Sequence, residues 1–509
     1  MAQARRWLET CISTHLTCPK PGSAFAQPEG YSVGHTRGPR RLIQISRRFK
    51  KYVRLDSPPT LRLIETPRSS WREYAALTYC WGGDQTVTLN TTNLVEWCLN
   101  IRFDDLPQTL RDAVVVTAQL GLKFLWVDTL CILQDDDVDK TNELSKMGDI
   151  YQNAHVTLSA ARSASVNEGF LQSRYISGER GFRVPFLCHD GRLGSVILWI
   201  GREGAGAHEP INKRAWCLQE SLLSPRVLEF GTHQLLWRCA QNRKEGQYEA
   251  DGWAANVGPS DLHDRLAVPL WVDWTSQSNE LTHFVWKNLV EHYSTRRLSS
   301  WDDRLRAISS VARKMSQIVR ERYYAGLWEH HFKEQLLWSA DRNHQERLTT
   351  MPRYFAPSWS WASYLGPVGF RHTLLDSTCM ACMRVLQVEV VNKIPEDKFS
   401  DVISARLKAR TLTTLAKRPE SVISTTGVIE FYVRSDNQRL ENVLYDLDGD
   451  VSLGHEVSLA LVGRTQSYGM GLVLRPEASR QPVYTRIGVF QYLGDGNEFE
   501  WNETEITII

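Results

Sequence analysis

Tyr74-Ala75-Ala76-Leu77-Thr78-Tyr79, followed by Cys80-Trp81-Gly82-Gly83, is the stretch on which the fold of this chain turns. A short apolar run that stops at two glycines predicts a strand over Ala75–Tyr79 with a turn at its carboxyl end. Downstream, Phe124-Leu125-Trp126-Val127 is apolar at every position, as a strand covered on both faces must be, and it ends in Asp128. A helix is expected between the two. Asp104-Asp105-Leu106-Pro107 supplies an acidic cap and a first-turn proline. Leu106, Leu110, Ala113, Val114, Thr117 and Leu120 then recur at helical spacing, and Gly121 closes the helix. A further amphipathic helix carries Leu144, Met147, Ile150 and Tyr151. His155–Ala160 and Arg226–Phe230 read as the next strands. Strand–helix–strand alternation implies parallel pairing through right-handed crossovers. The expected fold is therefore α/β, with a doubly wound, mainly parallel sheet. Ligands of such sheets bind beyond the strands' carboxyl ends, where Trp81-Gly82-Gly83 and Asp128 fall.

Outward from this domain, placed at residues 70–240, the texture changes three times. Residues 1–69 hold a short helix at Trp7–His15, a Pro/Gly/Ser-rich loop from Pro19 to Gly38 and a strand at Arg41–Ile45. Residues 241–365 read as mainly helical, with segments at Leu281–Tyr293, Trp301–Val319 and Tyr324–Trp338. Residues 366–509 are β-rich, with strands expected at Val385–Val391, Gly427–Val433, Val457–Val462, Met470–Leu474 and Thr485–Tyr492. At 509 residues the chain exceeds what one apolar core serves, so two or three packed units are expected.

Composition narrows the function. With 60 basic against 58 acidic residues, the net charge of +2 offers no field to draw nucleic acid, and none is expected as partner. No run approaches the length of a membrane span. Met1-Ala2-Gln3-Ala4-Arg5-Arg6-Trp7 leads into no apolar leader segment, and the scattered cysteines sit in apolar runs, as reduced buried ones do. A cytoplasmic location is the expectation. The 18 tryptophans imply large, rigid buried surfaces.

Three stretches together resemble the fungal heterokaryon incompatibility (HET) family. The first is Tyr74 to Gly82. The second runs from Leu106-Pro107-Gln108-Thr109-Leu110-Arg111-Asp112-Ala113 through Leu125-Trp126-Val127-Asp128-Thr129-Leu130-Cys131-Ile132-Leu133-Gln134-Asp135 to Ile150-Tyr151-Gln152-Asn153-Ala154. The third is Arg214-Ala215-Trp216-Cys217-Leu218-Gln219-Glu220, followed by Leu223-Ser224-Pro225-Arg226. Trp7-Leu8-Glu9 with Cys11, His15 and Cys18, Trp301-Asp302-Asp303-Arg304-Leu305 and Pro357-Ser358-Trp359-Ser360-Trp361 resemble common flanks of the family. Cys80 stands where the family often has Val, and Thr129 where Ser is frequent; neither changes a charge.

The resemblance implies a self/non-self recognition or cell-death effector of filamentous fungi. It also implies a distant likeness to TIR domains, many of which carry a Trp-Cys-x-x-Glu helix whose Glu acts in NAD cleavage. Trp216-Cys217-Leu218-Gln219-Glu220 is similar to that helix. By this analogy Glu220 is the candidate catalytic residue. Tyr79, Trp81, Gly82, Gly83, Asp128, Arg214 and Trp216 are candidates for substrate binding, with NAD or a related nucleotide as substrate rather than cofactor. Nicotinamide leaves NAD as a neutral molecule, so one carboxylate beside the ribose is chemically sufficient, without the second carboxyl that ordinary glycosides require. The bland alternatives are an ion-paired helix Glu220, a plain turn at Gly82-Gly83, a loop-ordering Asp128 and a core Trp216. Two other functions remain open: a non-catalytic module working through a protein partner or self-assembly, and a biosynthetic enzyme for an unrelated small molecule.

Several patterns are set aside. Gly30-Tyr31-Ser32-Val33-Gly34 has the lettering of a serine-hydrolase elbow but neither the strand before it nor the helix after it. Cys11-x3-His15-x2-Cys18 offers three zinc ligands and Cys379-Met380-Ala381-Cys382 two more, but joining them requires distant segments to meet. The preferred reading is a staple of buried Cys and His, with no metal assigned. Asp135-Asp136-Asp137 lacks the spacing of a calcium loop and is expected to cap the helix after it. His330-His331 falls in a helical pattern as a surface or packing pair, and no phosphate-binding Walker motif is present.

Overall fold

The computed structural model describes residues 1–20, 38–46, 59–66, 72–173, 182–187, 191–198, 209–232, 234–244, 249–250, 279–340, 354–370, 380–417, 429–433, 439–445, 456–477, 482–494, 496 and 499–509. The elbow-like Gly30–Gly34 lies outside them. Contacts divide the chain into two compact units, Met1–Val272 and Asp273–Ile509.

In the first unit, eight strands make one sheet. In chain order the strands of this unit are β1 (Arg41–Ser46), β2 (Thr60–Glu65), β3 (Tyr74–Thr78), β4 (Phe124–Trp126), β5 (Val156–Ser159), β6 (Phe182–Leu187), β7 (Leu193–Leu198), β8 (Arg226–Phe230), β9 (Leu235–Cys239) and β10 (Glu249–Ala250). The sheet order is β10-β9-β8-β5-β3-β4-β1-β2, while β6 and β7 form a separate hairpin. The central strands β4, β3, β5 and β8 are parallel, with Ala75 beside Leu125 on one side and Val156 on the other. Outside them β2, β1, β9 and β10 pair antiparallel. The sheet is therefore less parallel than expected. Its centre has the parallel pairing expected, but the four positions between β8 and β9 are far too few for a crossover, and the two strands pair antiparallel.

The crossovers are helical. The α-helices described in this unit are α1 (Ala2–Thr14), α2 (Leu94–Leu99), α3 (Gln108–Gln119), α4 (Asp128–Cys131), α5 (Asp137–Ser145), α6 (Met147–Asn153), α7 (Ala215–Leu223) and α8 (Ala240–Lys244). Gly121, at φ 88°, ends the α3 segment where a closing glycine was expected. The single helix expected through Leu144 and Tyr151 is two, breaking at Lys146, because its halves serve different surfaces. α5 turns Asp139 and Glu143 toward Arg40 and Arg41, whereas α6 buries Ile150 and Tyr151 in the main core. Leu77, Leu125, Trp126, Val127, Val156 and Leu158 complete that core with no exposed surface. This is why β3 and β4 read as unbroken apolar runs. Asp136 caps α5 through Val138 N and Asp139 N, as expected of the acidic triplet.

In the second unit, helices span Asn279–Ser294 and Arg306–Val319, where helical patterns were read. The helix expected over Tyr324–Trp338 is instead a hairpin of Tyr323–Tyr324 with Leu327–Trp328, then one helical turn at Phe332–Gln335. His330 and His331 lie in the turn before it. Ala325 and Gly326, at φ 46° and 104°, form the two-residue turn that a continuing helix cannot contain. Trp286 and Trp361 both donate from Nε1 to the Gly326 carbonyl at 3.0 Å and lock it. The remainder is β. Strands Val402–Lys417, Glu456–Arg464, Tyr468–Pro476, Val483–Leu493 and Asn502–Ile508 are hydrogen-bonded successively and back to the first, so this part of the sheet closes on itself. Among the described residues, no helix is long and apolar enough to cross a membrane.

Candidate functional site

The carboxyl ends of β3 and β4 and the start of α7 meet in one polar cluster. Tyr79 and Trp81 follow β3, and Asp128 follows β4. Asp128 accepts from Tyr79 Oη and from Trp81 Nε1, both at 2.9 Å, and from the Thr129 amide at 2.7 Å. Tyr79 Oη also lies 2.9 Å from Thr129 Oγ1. Burial pushes the Asp128 carboxyl above its ordinary range, against Arg214 and these donors, which favour the charged form.

Arg214 ties the strand ends to α7. It donates from Nη1 to the Tyr79 carbonyl at 2.8 Å, and its guanidinium lies 5.6 Å from the centre of the Trp81 ring. One residue further α7 begins, and its i, i+3 spacing sets Cys217 and Glu220 on one face. Glu220 is only 5% exposed. Burial pushes its carboxyl up to about 7, with the Thr78 hydroxyl, Arg214 and Tyr151 opposing the rise and Asp128 adding to it. Thr78 Oγ1 sits near this carboxyl but outside hydrogen-bonding geometry, and Tyr151 Oη donates to the Leu77 carbonyl at 2.8 Å. The Cys217 thiol is held well above its usual range by burial and by Glu220, which favours its protonated form. What the cluster offers is a poised buried carboxyl, a guanidinium, and a second carboxylate fixed by an indole and a phenol.

Residues 74–220 match the family model described as heterokaryon incompatibility protein (HET). This segment is a HET domain. No curated protein and no solved structure matches the chain. The HET domain opens on the first residue of β3 and closes on Glu220, and every member of the cluster falls inside it.

Of the residues singled out in the sequence, the HET domain brings Tyr79, Trp81, Asp128, Arg214 and Glu220 together. It does not bring in all of them. Gly82, at φ 74°, presses its α-carbon against the loop at Ala164-Ser165: a Cβ there would stand 2.2 Å from Ser165 Cβ, so packing alone demands the glycine. Gly83, at φ 129°, has open space where a side chain would be, so only its backbone conformation calls for glycine. Trp216 is half-buried against the main core. Thr78, Tyr151 and Cys217 beside Glu220 were not picked out as site residues. Tyr151 lies in a quoted motif, but its spacing carries only a core signal. A surface cavity of about 230 Å³, lined by Thr88, Asn93, Trp97, Arg102 and Asp105 among others, lies on the β3–α3 connection and includes none of the cluster.

Proposed function

We propose that this HET domain serves heterokaryon-incompatibility-type self/non-self recognition, and that it acts by cleaving the glycosidic bond between nicotinamide and ribose in NAD. The observation that carries the reading is Glu220: a buried carboxyl poised near neutrality, in one electrostatic cluster with Arg214 and Asp128 at the ends of parallel strands. The order β4-β3-β5-β8 also supports it. The chain steps from β3 to one side and then returns past it to the other, and with right-handed crossovers this is the pattern of doubly wound, TIR-like sheets. Ligands of such sheets bind at that reversal, beside β3.

In the proposed reaction the C1′–N bond breaks and nicotinamide departs with the bonding pair as a neutral molecule. The ionised Glu220 stabilises the cationic ribose, water adds at C1′, and its proton is released to solvent. Arg214 and the half-buried Trp81 are suited to the phosphates and a ring. Purified full-length protein is expected to release nicotinamide from NAD, and Glu220→Gln to lower the rate at least a hundredfold. Release that survives this substitution, or none at high concentration and in forced oligomers, overturns the reading.

One observation favours a second reading, a module that works by assembly. The β6–β7 hairpin exposes Phe186, Leu187 and Leu193 by 53%, 67% and 77%. Substituting these three with Ser is expected to abolish partner binding or self-association while leaving nicotinamide release intact if both readings hold.

A further inference from the structure

A second constellation lies outside the HET segment. Cys11 is on α1, His15 and Cys18 lie in the turn after it, and Cys239 ends β9, 224 residues beyond His15. Their donor atoms, three Sγ and one imidazole nitrogen, all lie within 4.8 Å of one another. His15 Nδ1 stands 3.3 Å from Cys239 Sγ and 3.7 Å from Cys18 Sγ. Tetrahedral zinc, with bonds of about 2.3 Å to sulfur and about 2.0 Å to nitrogen, sets S···N edges of roughly 3.5 Å. The two distances bracket that value.

We propose that Cys11, His15, Cys18 and Cys239 bind one structural Zn²⁺ ion. The surroundings supply what such a centre needs. Arg226 Nε donates to Cys11 Sγ at 3.3 Å, and the Gln241 amide donates to Cys18 Sγ at 3.4 Å. N–H groups aimed at ligating sulfurs stabilise thiolates and orient them. Three thiolates around a divalent ion leave one net negative charge, and the buried Arg226 guanidinium stands beside it to offset it. All three cysteines are buried and His15 half-buried, with four protein donors and no open position, so the centre is structural rather than catalytic. The competing account, thiols packed as small hydrophobes, explains the burial of each cysteine but not the imidazole nitrogen and two N–H donors converging on their sulfurs. Bound there, zinc fastens the carboxyl end of α1 to the end of β9. The sequence pattern shows three of these donors, read there as a staple without metal; the fourth is Cys239, which the pattern does not announce, and Cys379 lies outside the described residues.

The test is elemental analysis of the full-length protein, purified without added metal. The expected result is about one zinc per chain, retained on gel filtration and released when a mercurial titrates the thiols. Replacement by Co²⁺ is expected to give the visible absorption of a tetrahedral cobalt–thiolate centre. Cys18→Ser and Cys239→Ser are each expected to weaken zinc retention against a chelator at least tenfold, and Cys382→Ser to leave it unchanged. If the first two variants fail to fold, the cobalt spectrum of the unaltered protein decides. No cobalt–thiolate bands and no zinc after reconstitution overturn the proposal, as does zinc that is lost in Cys382→Ser.

Discussion

At Glu220, function and stability pull in opposite directions. Burial raises its carboxyl from an ordinary carboxylate value to about 7, so the fold favours the protonated form while the proposed chemistry uses the charged one. The sign of each dependence follows. An unfolded glutamate gives up its proton near pH 4.5, whereas the folded one keeps it until about 7. The stability it contributes is therefore complete below 4.5 and is lost as pH rises to 7. The lost amount is about 3 kcal/mol for a shift of this size. Nicotinamide release should instead climb with pH and level off above 7. Glu220→Gln, uncharged throughout, is expected to be inactive yet more stable than the parent at pH 8, and no more stable at pH 4. Denaturant melts at the two pH values check this. A variant destabilised equally at both would show that the carboxyl is a structural partner and not a strained acid. Part of this cluster was legible in the sequence: Tyr79, Trp81 and Asp128 stand at the ends of apolar runs, whereas Glu220 was picked out through the resemblance of its Trp-Cys-x-x-Glu helix. What could not be read is the shielding: Thr78 of β3 and Tyr151 of α6 stand near Glu220 of α7, and only the folded chain brings them there.

Elements carry a second lesson, about charges inside the apolar pattern. β1 is held to α5 by Arg41, which donates to both oxygens of Asp139 at 2.8 Å, with 1% and 3% of the two side chains exposed. Asp139 also accepts from the Leu133 amide at 3.1 Å, so it fixes the loop after α4, whose first residue is Asp128. Removing Asp139 strands the buried Arg41 guanidinium, and removing Arg41 leaves the buried Asp139 with only the exposed Arg40 as its ion-pair partner. Arg41→Ala or Asp139→Ala is therefore expected to cost about 3–5 kcal/mol in chemical denaturation. Arg41→Met combined with Asp139→Leu should recover most of it, because an apolar pair replaces the ion pair without desolvated charge. A double variant as unstable as the singles would assign the loss to the hydrogen bonds at Leu133 instead. Buried charge also explains what sequence reading overlooked. In β9, Arg238 interrupts the apolar run and is buried only because it pairs with Glu229 of β8 at 2.5 Å. The opposite error arose at Tyr324–Trp338, where Tyr324, Leu327 and Trp328 mimic helical spacing across what is a two-residue turn. There the left-handed backbone at Ala325 and Gly326 decides, and periodicity does not see it.

At the scale of the whole molecule, sequence separation limits what can be read. Texture marked the α/β region and the β-rich region, but β1 and β2 lie in a segment that reads as a preface, and they extend the sheet beside β4. Nothing local announces that Cys239 will stand beside Cys18, since that proximity depends on every crossover between them being made. The two compact units nevertheless have separate apolar cores, one around Leu77, Trp126 and Val156, the other around Leu459, Val473 and Phe490. Each unit far exceeds the size at which a single core suffices for independent folding. Residues 1–272 and 273–509, expressed apart, are therefore each expected to unfold cooperatively, and calorimetry of the intact chain to resolve two transitions. If zinc clamps α1 to β9, a chelator should lower the transition shared with the 1–272 fragment and leave the other in place. A chelator that lowers both transitions equally, or neither, would dissociate the metal from the first unit's stability. Fragments that aggregate or stay unfolded when made alone would show that the units cannot fold apart.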